Sequence, residues 1–213
     1  VVGQEHLVGP TGVLRKALAG GLLPSMILWG PPGVGKTTLA RLIAQDLKRP
    51  FYALSAINSG VKDVREVIEQ AGGAGLFARS SVLFIDEIHR FSKAQQDSLL
   101  GAVEKGTITL IGATTENPSF EVIPALLSRC QVYVLQALAH EQLLALLERA
   151  MATDQALRQH SIDLRETDAL MRASGGDARR LLNTFELCVF SVGRQDAPTV
   201  VIDNALVKEV VQN

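Results

Sequence analysis

The sequence predicts an α/β protein in which a mainly parallel sheet, flanked on both faces by helices, is followed by a small all-helical domain. Apolar runs of strand length alternate with longer stretches of helical spacing, which is typical of βαβ units. After Leu135 the strand signals nearly stop and amphipathic periodicity takes over. We therefore expect one domain over residues 1–136 and a second over residues 137–213.

The individual elements follow from these patterns. Apolar runs of four residues suit buried strands and predict strands at 26–29, 51–54, 82–85, 108–111 and 132–135. Helical spacing between the strands predicts helices at 37–47, 61–71 and 94–103. The second domain is predicted to hold helices at 141–151, 166–173, 177–192 and 203–211. Asp177, a favoured N-cap residue, marks the start of the third of these.

Composition excludes several classes of protein. Of the 213 residues, 47% are hydrophobic and 20% are charged, which argues against a disordered chain. The net charge of −1 means that a polyanion would have to bind at a local patch. Two distant cysteines, Cys130 and Cys188, offer neither a disulfide framework nor a zinc site and fit a reducing compartment. Apolar runs are too short to span a membrane, and the start, which lacks a leader, suggests that residues of a longer protein precede Val1.

The strongest motif directly follows the first predicted strand and matches G-x-x-x-x-G-K-S/T. Its glycines let backbone N–H groups approach phosphate oxygens, and the helix that follows adds its positive end. Lys36 supplies a charge for the β- and γ-phosphates, and the Thr37 hydroxyl can hold Mg²⁺. The predicted phosphate-binding residues are Gly30, Pro31, Pro32, Gly33, Val34, Gly35, Lys36, Thr37 and Thr38.

Two carboxylates follow the predicted strand at 82–85. In a parallel sheet the carboxyl ends of the strands form the ligand-binding edge. Asp86 is predicted to hold Mg²⁺ through water, and Glu87 to polarise the water that attacks the γ-phosphate. His89 completes an Asp-Glu-Ile-His string shared with one superfamily of helicases. In those helicases a second domain, similar to the first, follows the ATPase core. Here the segment after the sheet domain is short and helical, so this alternative does not fit. Without metal-ligand partners, His89 is interpreted as a structural or supporting residue.

Two further candidates lie nearer the end of the first domain. Thr114, Thr115, Glu116 and Asn117 follow the fourth strand, and one of these polar side chains can orient the attacking water, although such a turn also forms local hydrogen bonds. Arg129 lies on an apolar segment, predicted helical, just before the last strand.

Taken together, these motifs resemble those of an AAA+ ATPase, a P-loop NTPase, in their order along essentially the whole chain. The resemblance implies that ATP and Mg²⁺ bind and that Val2, Gly3 and Gln4 lie near the adenine. It also implies that Thr115 is the first sensor, Arg129 an arginine finger for a neighbouring subunit's ATP, and Arg179 the second sensor on the helical lid. Clamp loaders restrain the catalytic Glu with an Asn after the second strand; here Ser55 or Asn58 would have to serve, and the role stays unassigned.

Within AAA+ proteins the chain is most similar to the replication-associated recombination ATPases (MgsA/RarA), whose eukaryotic members include the Werner helicase-interacting protein. Three strings carry this similarity: residues 59–66, 86–97 and 111–120. The resemblance implies a homotetramer that binds single-stranded or forked DNA and meets replication proteins in the cytoplasm, at the nucleoid. It also implies a C-terminal oligomerisation domain beyond Asn213. A branch-migration motor of the Holliday-junction type and a clamp-loader-like assembly ATPase that moves no DNA remain the alternatives.

Overall fold

The computed structural model describes residues 2–21, 23–72, 80–192 and 199–212. These residues form two compact units. The first comprises Gly3–Pro31 and Gly35–Leu135, and the second comprises Val2, Pro32–Val34 and the residues from Gln136 onward.

The first unit contains five strands and their connecting helices. The strands are β1 Met26–Trp29, β2 Phe51–Ser55, β3 Ser81–Asp86, β4 Ile108–Thr114 and β5 Gln131–Val134. The helices are α1 Glu5–Val8, α2 Val13–Ala19, α3 Lys36–Asp46, α4 Val61–Gly72, α5 Lys93–Glu104, α6 Pro118–Glu121 and α7 Pro124–Leu127. All five strands and all three connecting helices predicted for this region are present within a few residues of their expected bounds. The short helices α1, α2 and α6 were not predicted, and α7 is the helical segment expected just before the last strand.

The strands form one parallel sheet in the order β2-β3-β4-β1-β5. Trp29 of β1 is level with Thr114 of β4 and Val134 of β5, and Ser55 of β2 is level with Asp86 of β3. The carboxyl ends of the strands therefore meet at one edge of the sheet, which is where such sheets bind ligands. The predicted parallel α/β fold is confirmed.

The core of this unit forms around the central strands. All seven residues of β4 are buried, as are the first five of β3, so both strands are covered on both faces as the near-continuous apolar runs predict. Leu99 of α5 and Val64 of α4 pack into the same cluster as Leu83 and Leu110. Burial of these strands fixes the positions of the loops that follow them.

The second unit was predicted to be all-helical. It is mainly helical, but it also contains two short strands. Its helices are α8 His140–Thr153, α9 Asp168–Ser174, α10 Ala178–Val192 and α11 Asn204–Gln212. Two strands, β6 Ile162–Leu164 and β7 Val200–Ile202, pair in parallel. Strands of three residues are too short to show alternation, and only their partners across the unit stabilise them.

Asp177 caps α10, as predicted: its Oδ1 accepts hydrogen bonds from the backbone N–H groups of Arg179 (2.8 Å) and Arg180 (3.1 Å). The helices of this unit share a core of their own that includes Leu147, Leu181 and Phe185. Within the described ranges, no helix has the length and hydropathy needed to cross a bilayer.

Candidate functional site

The loop between β1 and α3 has the backbone shape that phosphate binding requires. Gly33 has φ 70° and Gly35 has φ 94°, conformations that residues with a Cβ rarely adopt. Gly35 is also the N-cap of α3, so the first turn of the helix starts directly at the loop. Gly30 N donates to Thr114 O (3.1 Å), which anchors the start of the loop to the end of β4.

Lys36, the first residue of α3, is held by the loop itself. Its Nζ donates to the backbone oxygens of Gly30 (2.7 Å) and Pro31 (2.8 Å). Lys36 as a whole residue is only 7% exposed, so its charge lies in a partly desolvated position where attraction to an anion is strengthened. Thr37 is half-buried and Thr38 exposed in the same first turn. A helix start of this kind, with a buried ammonium, is a ready anion site.

The two predicted carboxylates lie at the same edge of the sheet. Asp86 is the last residue of β3, and Glu87 follows it in the left-handed region with φ 55° and ψ 44°. A left-handed residue other than glycine is strained, and such residues cluster at functional sites. The turn reverses the chain into a 3₁₀ helix, Ile88–Arg90, whose last N–H donates to Glu87 O (2.8 Å).

His89 and Thr114 join this group. His89 Nε2 is 3.2 Å from Glu87 Oε2, and Nδ1 is 2.9 Å from Thr114 Oγ1. Thr114 is fully buried at the end of β4, whereas Thr115, the residue predicted to be a sensor, is half-buried one position later. The strand ends at Thr114, and the sequence alone could not tell which of the two threonines contacts His89. The sensor role of Thr115 stays a prediction.

The segment predicted near the adenine leads directly into α1. Gln4 is fully buried, and its backbone oxygen accepts from the N–H groups of Leu7 (2.9 Å) and Val8 (3.0 Å) to start α1. His6 Nε2 is 2.9 Å from Val134 O. Since β5 is the direct neighbour of β1, this contact brings α1 toward the strand that leads into the phosphate loop.

Arg129 lies at the opposite edge of the sheet. It follows the four-residue α7, which ends at Leu127, and so does not lie on a helix. One residue, Cys130, separates Arg129 from the start of β5. Its Nη2 is 2.6 Å from Glu104 Oε1, and its Nη1 donates to Ala125 O (2.6 Å). Arg129 and Glu104 border an open cavity of about 630 Å³ that is also lined by Arg49, Ser80 and Thr109.

Arg179 belongs to the second unit, where it occupies the second position of α10. Its side chain is exposed, as is that of Arg180. Successive helical residues diverge by about 100°, so the two guanidinium groups leave the helix in different directions.

The oxygen donors at the phosphate loop suit magnesium. A hydroxyl from Thr37 and a carboxylate from Asp86 are hard oxygen ligands, which Mg²⁺ prefers, and phosphate oxygens and water complete its shell in such sites. Among the residues that the structure describes, no group of three or more His, Cys, Asp or Glu residues could hold a metal ion.

Both cysteines are free thiols. Burial raises the pKa of Cys130 and of Cys188 from 9.0 to about 11. Because the thiolate is the reactive form, both side chains are expected to be inert at neutral pH.

Comparison with known proteins identifies the family. Residues 26–138 match the family described as "ATPase family associated with various cellular activities (AAA)". The chain belongs to this AAA ATPase family. The confirmed fold, the phosphate loop and the acidic strand end are thus parts of an ATP-hydrolysing domain, as the motifs predict.

Among curated AAA ATPases, Replication-associated recombination protein A from Coxiella burnetii is 45% identical over 213 residues, which is 99% of this chain and 48% of the relative. ATPase WRNIP1 from Dictyostelium discoideum is 45% identical over 190 residues, or 88% of this chain and 22% of the relative. The resemblance to the MgsA/RarA group is confirmed. The chain spans about half the length of the bacterial relative.

A solved structure, "Thermotoga maritima RuvB Holliday junction branch migration motor", has a TM-score of 0.77 to this AAA ATPase at 27% identity. The match covers 99% of this chain and 69% of the solved chain.

Proposed function

We propose that this chain is the ATP-hydrolysing core and lid of a DNA-dependent AAA+ ATPase that maintains replication forks and takes part in recombination and repair. The proposal is supported by the placement of Lys36, Asp86 and Glu87, which all lie at or just after the carboxyl ends of strands of one parallel sheet. The names of the 45%-identical relatives support the setting of replication-associated recombination. ATP hydrolysis would be coupled to remodelling of DNA or protein.

Within this site the loop residues Gly30–Thr38 hold the phosphates. Lys36 compensates the charge of the β- and γ-phosphates, and Thr37 and Asp86 would hold the Mg²⁺ that accompanies ATP and neutralises charge as the γ-phosphate leaves. Glu87 accepts a proton from the attacking water and aims that water at the γ-phosphate. Thr115 is proposed as the first sensor of the γ-phosphate, and Val2, Gly3 and Gln4 as the adenine-side contacts.

Arg129 is proposed to complete the site of a neighbouring subunit. It precedes β5, while Lys36 follows β1, and the paired strands place roughly 10 Å of sheet between their ends. An arginine at the opposite edge from its own phosphate loop is suited to act in trans. Arginine fingers of this kind raise phosphoryl transfer by about 10³ to 10⁵ in related NTPases.

We propose that Arg179 is the second sensor, which contacts the γ-phosphate from the lid. The Asp177 cap fixes the start of α10, the helix that carries Arg179.

The partners follow the same proposal. The assembled protein is proposed to be a homotetramer that acts on single-stranded or forked DNA together with replication proteins, in the cytoplasm at the nucleoid. Since the formal net charge is −1, DNA would bind at local basic patches rather than through a global field.

The structural similarity to RuvB supports a second candidate, a branch-migration motor. The two functions differ in substrate. ATPase rates with duplex, forked and single-stranded DNA, measured beside strand-displacement and branch-migration assays, separate them. Stimulation by forks without branch migration favours the first function, and movement of four-way junctions favours the second.

Two variants test the ATPase site. Lys36→Ala should lose the rise in melting temperature that ATP causes, whereas Glu87→Gln should keep this rise and stall hydrolysis. Lys16→Ala, an exposed lysine on α2, is the matched control and should behave like the unchanged chain. Normal hydrolysis by both site variants would overturn the proposal.

A further inference from the structure

His89 bridges two parts of the proposed site. Its ring lies between Glu87 (3.2 Å from Nε2) and Thr114 (2.9 Å from Nδ1), the last residue of β4. The His89 side chain is 11% exposed and that of Glu87 25%, so water screens these contacts only in part. The bridge connects the end of β3 to the end of β4 through side chains.

The Glu87 carboxylate needs a side-chain contact to hold it in place. Its left-handed backbone, fixed by the 3₁₀ turn, sets the direction in which the side chain leaves the chain but not the torsions that place the carboxylate. A carboxylate that must aim a water molecule loses efficiency with small displacements. The contact with His89 restrains the carboxylate in this way.

The hydrogen bonds of Thr114 limit how His89 can hold Glu87. Thr114 Oγ1 accepts from Glu116 N (3.0 Å), and its single proton can go either to His89 Nδ1 or to Glu116 O (3.2 Å). When the proton goes to Nδ1, a neutral imidazole carries its own proton on Nε2 and donates it to Glu87. When the proton goes to Glu116 O, a neutral ring donates through Nδ1 and turns the Nε2 lone pair toward the carboxylate, which is repulsive.

We propose that His89 is a positioning residue for ATP hydrolysis: Nε2 holds the Glu87 carboxylate, and the Thr114 hydroxyl selects the tautomer that can do so. This inference rests on the proposed role of Glu87. It implies that a shift of Glu116 against Thr114 changes the orientation of Glu87 without any direct contact between Glu116 and Glu87.

Two substitutions separate the two halves of the bridge. In His89→Gln the amide nitrogen reaches the position of Nε2 and can donate to Glu87, whereas in His89→Asn the shorter amide reaches only the Thr114 side. We expect His89→Asn to lower kcat by about 10- to 100-fold and His89→Gln by less than about threefold. The KM for ATP should change by less than about twofold in both variants, because His89 holds the carboxylate rather than the phosphates.

The Thr114 side is tested by a nearly isosteric pair. Thr114→Val keeps the volume but removes the proton that selects the tautomer, and should lower kcat by about three- to tenfold. Thr114→Ser retains the hydroxyl and should restore most of the rate. His140→Gln, an exposed histidine at the start of α8, is the control and should leave kcat unchanged.

A double-variant cycle with Glu87→Gln tests whether His89 acts through Glu87. If His89 acts through Glu87, adding His89→Asn to Glu87→Gln should slow hydrolysis no further. Equal rates for His89→Asn and His89→Gln, rates that follow only the melting temperatures, or a further 10-fold loss in the double variant would each overturn this inference while Glu87→Gln alone still stalls. Normal hydrolysis by Glu87→Gln would instead overturn the proposed function.

Discussion

Arg129 and Glu104 form an ion pair at the amino edge of the sheet, with 2.6 Å between Nη2 and Oε1. The side chains are 40% and 49% exposed, and an exposed pair of this kind contributes only about 0–1 kcal/mol to stability. The pair therefore does little for the fold. With the Ala125 carbonyl, it orients a guanidinium proposed to serve a neighbouring subunit.

Glu104→Ala should consequently affect hydrolysis more than stability. The free energy of unfolding should change by less than about 1 kcal/mol, whereas ATP turnover by the assembled protein should fall several-fold, since Arg129 loses its ion pair and keeps only its contacts with Ala125 O and Ser128 Oγ. Denaturant unfolding and steady-state ATPase assays measure the two effects, with Glu148→Ala on α8 as the control. Unchanged turnover would show that Glu104 does not orient Arg129.

The two arginines at the start of α10 should differ. Arg179→Ala should weaken the discrimination of ATP from ADP more than Arg180→Ala does, because the two side chains leave the helix about 100° apart. Both variants retain the Asp177 cap, which uses backbone N–H groups, so the fold should be equally stable in both. Nucleotide titrations measure the ratio of affinities, and equal effects would reject the assignment of Arg179.

Gln96 on α5 should be important for stability. Its buried amide donates to the backbone oxygens of Phe91 (3.1 Å) and Glu121 (3.0 Å) and accepts from Ile123 N (2.9 Å). Gln96→Leu leaves three backbone groups without this partner; the bond to Phe91 O is buried, and the other two are partly buried. A buried group left without a partner costs about 1–3 kcal/mol. We expect a loss of at least about 1 kcal/mol in urea unfolding.

Gln70→Leu, on the exposed side of α4, supplies the control for that measurement and should stay within about 0.5 kcal/mol of the unchanged chain. A Gln96→Leu chain as stable as this control would mean that the amide is not needed to join α5 to the segment before α7.

The thiols give the fold a defined pH response. Burial raises the pKa of Cys130 and Cys188 to about 11 in the folded chain, while the unfolded thiols ionise near 9.0. Their contribution to stability is therefore present below about pH 9 and is lost as the pH rises toward 11, because the unfolded state releases protons first. Denaturant unfolding at pH 8, 9, 10 and 11 should show a shallower decline in a Cys130→Ala/Cys188→Ala variant. Parallel declines would contradict the burial of the thiols.

The sequence predicts those features of the fold and site in which the residue types themselves require a particular backbone conformation. Lys36 and the glycines before it require a loop between a strand and a helix, and Asp86 and Glu87 end an apolar run, so their common edge could be deduced from the sequence. The apolar length of β3 and β4 predicted their burial directly.

The remainder depends on contacts between distant residues. The left-handed backbone of Glu87 and the bridge from His89 to Thr114 are set by packing of β3 against β4, which no local pattern encodes. Strands β6 and β7 pair across 38 residues of sequence at matched positions such as Ile162 and Val200, and three residues each are too few to reveal a period.

Mixing two inactive variants tests most directly whether Arg129 completes the ATP site of a neighbouring subunit. Lys36→Ala and Arg129→Ala should each hydrolyse ATP poorly, but after subunit exchange an intact Lys36 can meet an intact Arg129 of a neighbour. When equal amounts mix randomly in a ring, about a quarter of the interfaces are complete. The mixture should therefore recover a measurable fraction of the ATPase activity of the unsubstituted protein. No recovery after exchange has been verified by fluorescence would contradict the proposal that Arg129 completes a neighbouring site.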